Sequence, residues 1–325
     1  MFRLLKMFAV AACVTAFAAP VMAQTKWNLP AAYPADNPQS VNLIAFAKDV
    51  ATATSDKLQI TVHPAASLFK APEIKRAVAT GQAQMGEELL SIHENEDPVF
   101  GLDVVPFVAV SFPEAMKLYK ASKPTIEKKL AAQGIMLLFA VPWAPQGIYA
   151  KKELNTIDDM KGLKWRAYNV GTARIGEIVG AQSVTVQAAE LPQALATGVV
   201  NSFMSSGGTG YDSKAWESLK YFYDVQAWIP KNLTIMNKAA FDALDQPTKD
   251  AILKAAATAE ARGWKAWEDK TNWYLGELKA KGMKVQPPST ELKDGFKKIG
   301  DQLTDDWMKK AGTEGQSIVD AYKKM

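Results

Sequence analysis

Cysteine is nearly missing: Cys13 is the only one in 325 residues. It falls inside an apolar leader in which Arg3 and Lys6 precede the run Met7 to Ala19, with Val21-Met22-Ala23 after Pro20. That order, basic then apolar then small, predicts a secretory signal peptide over residues 1–23. Cleavage after Ala23 removes the last thiol. The expected mature chain therefore has no disulfide, no thiol nucleophile and no thiolate metal site, although it is bound for a compartment where disulfides form. Two alternatives fit less well. A membrane anchor needs a longer run than one stopped by Pro20, and lipoprotein processing at Cys13 would leave an apolar stretch of only about six residues.

Histidine is almost as scarce. His63 and His93 stand far apart, without an H-E-x-x-H pattern, so a zinc hydrolase lacks its ligands. Each reads as a surface or loop residue. No G-x-S-x-G elbow supports a secreted serine hydrolase. Ser205 to Gly210 is rich in glycine, yet no Gly-Lys-Ser/Thr follows it as a phosphate loop requires; it reads either as a backbone anion cradle or as a plain turn. No cofactor motif is present. Charge is low as well: 38 basic and 34 acidic residues give +4. Losing Arg3 and Lys6 leaves 36 against 34, a net of +2. With no basic stripe among the aromatics, nucleic acid is excluded as a partner. Beyond the leader the longest dense apolar run is Ile135 to Val141, the size of a buried strand and far short of a membrane span.

What remains is an alternation of strands and helices, which predicts an α/β fold. Strands are expected at 26–29, 58–62, 85–90 and 135–141, and helices from Asn37-Pro38 to about Ala53, from Pro72 to Thr80, over 114–121 and over 124–133. Pro142-Trp143-Ala144-Pro145 excludes regular structure and marks a first crossing into a second lobe. There follow a strand over 163–168, a helix over 171–179, a short strand near 184–186, a helix over 190–196 and a strand over 199–204. Strands at 221–223 and 233–236 are read as returning the chain to the first lobe. Asp245 then caps one helix patterned to about Lys281, roughly 50 Å long at 1.5 Å per residue. One small lobe is not that wide, so the helix is expected to cross both; no sustained heptad supports a coiled coil. Two terminal helices, 292–310 and 315–324, close the chain. The expected division is 24–146 with about 232–270 in the first lobe and 147–231 with about 271–325 in the second.

Within the second lobe, Leu163 to Tyr168 alternates so that Lys164, Arg166 and Tyr168 share one face. Arg166 comes near the end of a strand that feeds a helix, the edge where open α/β sheets bind ligands. Its planar fork of donors matches a carboxylate at two points. A surface ion pair is the other reading of the same spacing. Glu87-Glu88 cannot form a glycosidase pair, because adjacent strand residues point to opposite faces; one of them can line a cleft.

K-G-L-K-x-R at 161–166, the helix Glu190 to Leu195, Thr197-Gly198-Val199-Val200-Asn201 and Ala45 to Val50 on the first helix, in that relation, resemble the substrate-binding proteins of TRAP transporters, the DctP-type extracytoplasmic receptors. The resemblance covers nearly the whole mature chain. It implies a two-lobe periplasmic binding protein fold with a long helix across both lobes, no catalysis, and capture of a small organic acid for delivery to integral membrane subunits. It implies Arg166 as the carboxylate anchor. Gln146 stands where many members carry a second arginine, and a glutamine cannot neutralise a second charge. Asn201-Ser202 replaces a common Asp-Gly, and Ser205 replaces a common asparagine. The ligand-facing set so inferred is Arg166, Gln146, Tyr168, Glu88, Ser205, Phe203, Trp143 and Tyr33, with core packing open for each aromatic. The ligand expected is an apolar or aromatic monocarboxylate, bound by a monomer in the periplasm. An ABC-type receptor shares the two-lobe plan and is the alternative.

Overall fold

The first sheet is assembled from the first 142 residues and one strand that returns at 231–237. Residues 24–325 are described by the computed structural model; the leader lies outside them. The opening elements run β1 (Thr25–Pro30), α1 (Pro38–Ala53), β2 (Leu58–His63), α2 (Ala71–Ala79), β3 (Met85–Leu89), α3 (Phe112–Ala131) and β4 (Ile135–Pro142). There follow β5 (Gly147–Ala150), β6 (Lys164–Ala167), α4 (Val170–Ile178), β7 (Gln182–Thr185), α5 (Leu191–Ala196), β8 (Ser202–Ser205), α6 (Gly207–Asp212) and β9 (Tyr221–Tyr223). The chain ends with β10 (Lys231–Asn237), α7 (Lys238–Asp242), α8 (Gln246–Ala280), β11 (Lys284–Gln286) and α9 (Thr290–Lys323).

β1 and β2 pair in parallel, and β10 lies antiparallel between β3 and β4. A parallel bridge from Ala31 to Glu87 joins the two groups into one layer. The second sheet has six strands in the order β11-β9-β5-β8-β6-β7. β10 thus returns to the first lobe as expected. The strand at 221–223 does not: it pairs with β5 and β11 in the second sheet. Its Phe222 is wholly buried beside Tyr149, and that packing holds it there.

The two crossings between lobes are tied to each other. Trp143 N–H donates to Pro230 O at 2.8 Å, Gln146 N–H to Trp228 O at 3.0 Å, and Ala227 N–H to Gln146 O at 3.0 Å. Residues 143–146 and 227–230 therefore form one paired strap instead of two loose linkers.

α8 has 35 residues, and Asp245 caps it by accepting from Thr248 N–H at 2.8 Å. Arg262 reaches Asn42 and Asp49 on α1, and Trp264 Nε1 donates to Ala140 O on β4. Further along, Trp267 and Tyr274 pack over Gly207 and Gly208 of α6, and Leu278 enters the second-lobe cluster with Phe203. One helix is thus built into both cores. Along it runs a row of rings, each in contact with the next: Tyr33, Trp143, Trp267, Tyr274 and the half-exposed Trp273.

Two expectations are corrected. α3 is a single helix passing through Pro124, not two helices, because residues on both sides of the proline, Leu118, Tyr119, Ile126 and Leu130, pack into one cluster. The two terminal helices stand as expected, because Gly312 is non-helical at φ 56° and ψ −139° and divides α9 between them. Assignment of everything after 271 to the second lobe does not describe this end: Trp307 and Ile318 pack in the cluster of the first lobe with Leu118 and Tyr119.

Gly263, which interrupts the pattern of α8, is where that helix meets β4. A Cβ there would lie 2.5 Å from a Val141 methyl and 2.9 Å from Asn42 Nδ2. Alanine favours a helix interior over glycine by about 1 kcal/mol, while overpacking costs about 1–3 kcal/mol. Gly263→Ala is therefore expected to lower stability by about 1 kcal/mol net; an unchanged or raised urea midpoint would contradict this packing.

Candidate functional site

Arg166 sits on β6, which pairs in parallel with β7 and β8, so its side chain leaves near their shared C-terminal edge. It is 2% exposed, which removes the surface-arginine reading. Nε donates to Val186 O at 2.8 Å, and the guanidinium carbon lies 5.0 Å from the centre of the Tyr168 ring. Tyr168 is fixed in turn, its hydroxyl accepting from Trp228 Nε1 at 3.1 Å. Among the described residues no carboxylate comes within salt-bridge distance of Arg166. Burial pulls its pKa down to about 10, with Tyr168 and Tyr33 opposing the fall. It remains a cation at neutral pH.

That cation opens into a cavity between the lobes. Tyr33, Trp143, Gln146, Arg166, Tyr168 and Ser205 all line it, so six of the eight expected side chains converge. Tyr33 packs edge-on to Trp143 with ring centres 4.6 Å apart. Gln146 Nε2 donates to Ala144 O at 2.8 Å, which holds its amide at the strap. Ser205 ends β8, opposite Gly147.

Two expected residues lie elsewhere. Phe203 is fully buried two pairs deeper on β8, stacked on Tyr149 at 4.3 Å; it is core. Glu88 is also fully buried, on the other face of β3, where its Oε2 bonds His93 Nε2 at 2.9 Å. Strand alternation separates Glu87 from Glu88 but does not say which faces the cleft. Glu87 is the one on the Tyr33 side: it accepts from Asn232 Nδ2, and Asn232 Oδ1 accepts from Trp143 Nε1 at 2.8 Å. His93 is buried as well, 8% exposed, and is no surface residue. Burial lowers its pKa, but the bond and charge of Glu88 outweigh that and leave it raised.

The sequence reading missed Gln187, Ala188 and Thr209, which also line the cavity. Gln187 follows β7, so the rule that located Arg166 at the strand ends would have reached it. Thr209 lies in the glycine-rich segment, whose role was left open. A contact also joins the lobes: Asn169 Nδ2 donates to Ser91 Oγ at 2.9 Å, while Asn169 Oδ1 caps α4 through Thr172 N–H.

The DctP family, described as bacterial extracellular solute-binding protein family 7, matches residues 31–311. The chain belongs to that family. DctP6 of Bordetella pertussis, an extracytoplasmic solute receptor binding pyroglutamic acid, is 55% identical and superposes with a TM-score of 0.91 over 93% of this chain and 100% of its own. A TRAP solute-binding protein from a marine metagenome, specific for pyroglutamate and solved with the co-purified compound, is 44% identical, with a TM-score of 0.92 over 93% and 99%. A monocarboxylate 2-oxoacid-binding periplasmic protein from Nostoc sp. is 23% identical over 283 residues, 84% of this chain and 77% of its own. The receptor is thus an extracytoplasmic solute receptor of the two-lobe, TRAP kind. The family is one of solute-binding receptors and not an enzyme class. Among the described residues no helix is long and apolar enough to cross a membrane.

Behind the cavity, burial lifts the Glu87 carboxyl to about 8; the Asn232 bond opposes this and Glu88 adds to it. A carboxyl raised from 4.5 to about 8 on folding contributes stability that is fully present below about pH 4.5 and is lost as pH rises through about 8. Glu87→Gln removes the titrating group and keeps its shape. The ligand-free wild type is expected to lose melting temperature between pH 5 and pH 8.5 by several degrees more than this variant; parallel profiles would refute the assignment. The ceiling on the effect is about 5 kcal/mol.

Proposed function

We propose that the cleft captures pyroglutamate, or a cyclic monocarboxylate of similar size, and releases it chemically unaltered to the permease. The observation that carries this reading is the buried Arg166 guanidinium with no carboxylate beside it among the described residues. A cation removed from water needs a partner charge, and a carboxylate meets its fork at two points. Two relatives above 40% identity that bind pyroglutamate support the choice of acid.

In this reading the ligand carboxylate bonds the free donors of Arg166. Gln146 and Ser205 meet the uncharged polar groups of the ring, and Tyr33, Trp143 and Tyr168 pack on its faces. Gln146 adds no second positive charge, which favours one carboxylate over two. A charge-assisted hydrogen bond contributes about 1.5–3 kcal/mol, whereas micromolar affinity needs about 8 kcal/mol, so the ring contacts supply the larger part. The aromatic acid suggested by these side chains is the second reading. The lobes are taken as hinged bodies on the 143–146 and 227–230 strap, the leader as a cleaved signal that places the receptor in the periplasm, and the mature protein as a monomer without catalytic activity.

Native mass spectrometry of freshly purified protein is expected to show one co-purified molecule of pyroglutamate mass. In a thermal-shift panel, pyroglutamate should stabilise more than aromatic monocarboxylates, and succinate should not stabilise; stabilisation by dicarboxylates alone would overturn the proposal. Arg166→Lys keeps the charge but loses the fork, and should weaken binding at least about tenfold, which corresponds to about 1.4 kcal/mol. Unchanged calorimetric affinity in that variant would exclude the anchoring role.

A further inference from the structure

The ligand cavity does not end at Tyr33. A second cavity of about 150 Å³ shares Ala32, Tyr33, Ala188 and Thr209 with it and continues toward the cleft mouth, lined also by Pro34, Pro192 and Asp212. At that mouth the lobes are joined by one hydrogen bond. Asn37 Nδ2, from the residue preceding α1, donates to Asp212 Oδ2 at the end of α6 at 2.7 Å. Asn37 is doubly used, because its Oδ1 also caps α1 by accepting from Gln39 N–H at 2.8 Å. The capping bond fixes the asparagine amide, so its Nδ2 is aimed across the cleft by the first lobe's own backbone.

We propose that Asn37 and Asp212 form a closure latch, in which Asp212 acts as a positioning residue that takes up a proton when the lobes close over the acid. This rests on the reading of the cleft as the ligand site. Asp36 adjoins the Asp212 carboxyl from the first lobe, and Tyr149 of β5 and Tyr274 of α8 face it from behind; no lysine or arginine is among the groups that shift it. Closure takes part of the side chain out of water into that surrounding, leaving it half-buried, next to a cavity that receives a second anion. Burial raises its pKa to about 7, Asn37 opposes the rise, and Asp36 adds to it. With the lobes apart the carboxyl is solvated and titrates in its ordinary acidic range. Between those values the closed form holds one more proton than the open one, so closure is favoured at low pH and loses that advantage as pH rises through about 7.

One other contact between the lobes also titrates: Glu94 of the first lobe bonds the Gly171 backbone of the second, and burial raises its carboxyl, with Lys310 and the Gly171 bond opposing the rise. The remaining contacts differ from this one. Ser91 and Asn169 bear no charge and do not titrate. The Lys70–Glu190 pair, at 3.8 Å with both side chains more than half exposed, contributes little. The ligand carboxylate is ionised throughout the neutral range. His93, Glu87 and Glu94 of the first lobe also have raised pKa values, and the Asp212→Asn variant separates them from Asp212 because it leaves all three in place.

Pyroglutamate affinity and dissociation rate are measured on the mature chain between pH 6 and pH 8. The wild type is expected to weaken about tenfold over this span, the factor that follows from one proton bound at a group of pKa about 7 on closure. Asp212→Asn keeps the acceptor and removes the titration, so its affinity should be flat with pH. Asn37→Ser retains a helix cap but cannot reach Asp212; it should dissociate faster at pH 6 while its ligand-free melting temperature stays near that of the wild type. A wild-type profile that is flat, or one whose slope survives in Asp212→Asn, overturns the latch and leaves the ligand assignment standing. Absence of pyroglutamate binding at every pH overturns the ligand assignment, and the latch with it.

Discussion

A guanidinium kept out of water without a protein counter-charge is the constraint on which the rest of this receptor depends. Placing a cation in a buried setting is costly unless an anion joins it. Here the protein holds Arg166 by a single backbone carbonyl and the face of one tyrosine, contacts that orient the group without neutralising it. Everything that fixes Tyr168 and Val186 therefore also fixes the direction in which the remaining donors point. The binding energy of an acid is spent on pairing with a charge already desolvated and already aimed.

The scaffold accounts for that rigidity. β6 lies inside a six-stranded sheet, so Arg166 has little freedom along the strand. The lobe facing it is fixed by α8, which is packed into both cores, and by the paired crossings at 143–146 and 227–230. The cavity is bounded by residues from both sides of this strap. Gln146 belongs to the strap and to the cavity wall at once, so a ligand polar group bonded there would touch the crossing between the lobes directly.

Much of this was legible in the residues. The Asp245 cap, the length of α8, the exit of Arg166 at a strand end and the returning strand β10 all follow from local patterns that the tertiary structure does not override. The failures have a common cause. Glu88 against Glu87, and Phe203 against Gln187, are choices between neighbours of one strand or one sheet edge. A period of two divides residues into faces, but burial by the rest of the chain decides which face meets the cleft. His93 could not be placed from sequence, because its partners Glu88 and Glu96 meet it only when β3 and the turn after it are folded. Pro124 in α3 failed in the opposite direction: a strong local break was overruled by the apolar contacts on either side of it.

The row of rings along α8 has an optical consequence. Trp143 forms a wall of the cavity, and Trp267, Tyr274 and Trp273 continue from it to solvent in successive contacts. Indoles at such separations share excitation energy, so a molecule that quenches or polarises the innermost one alters emission along the whole row. An occupant touching Trp143 would therefore meet the inner end of a row whose outer ring, Trp273, stands half in water.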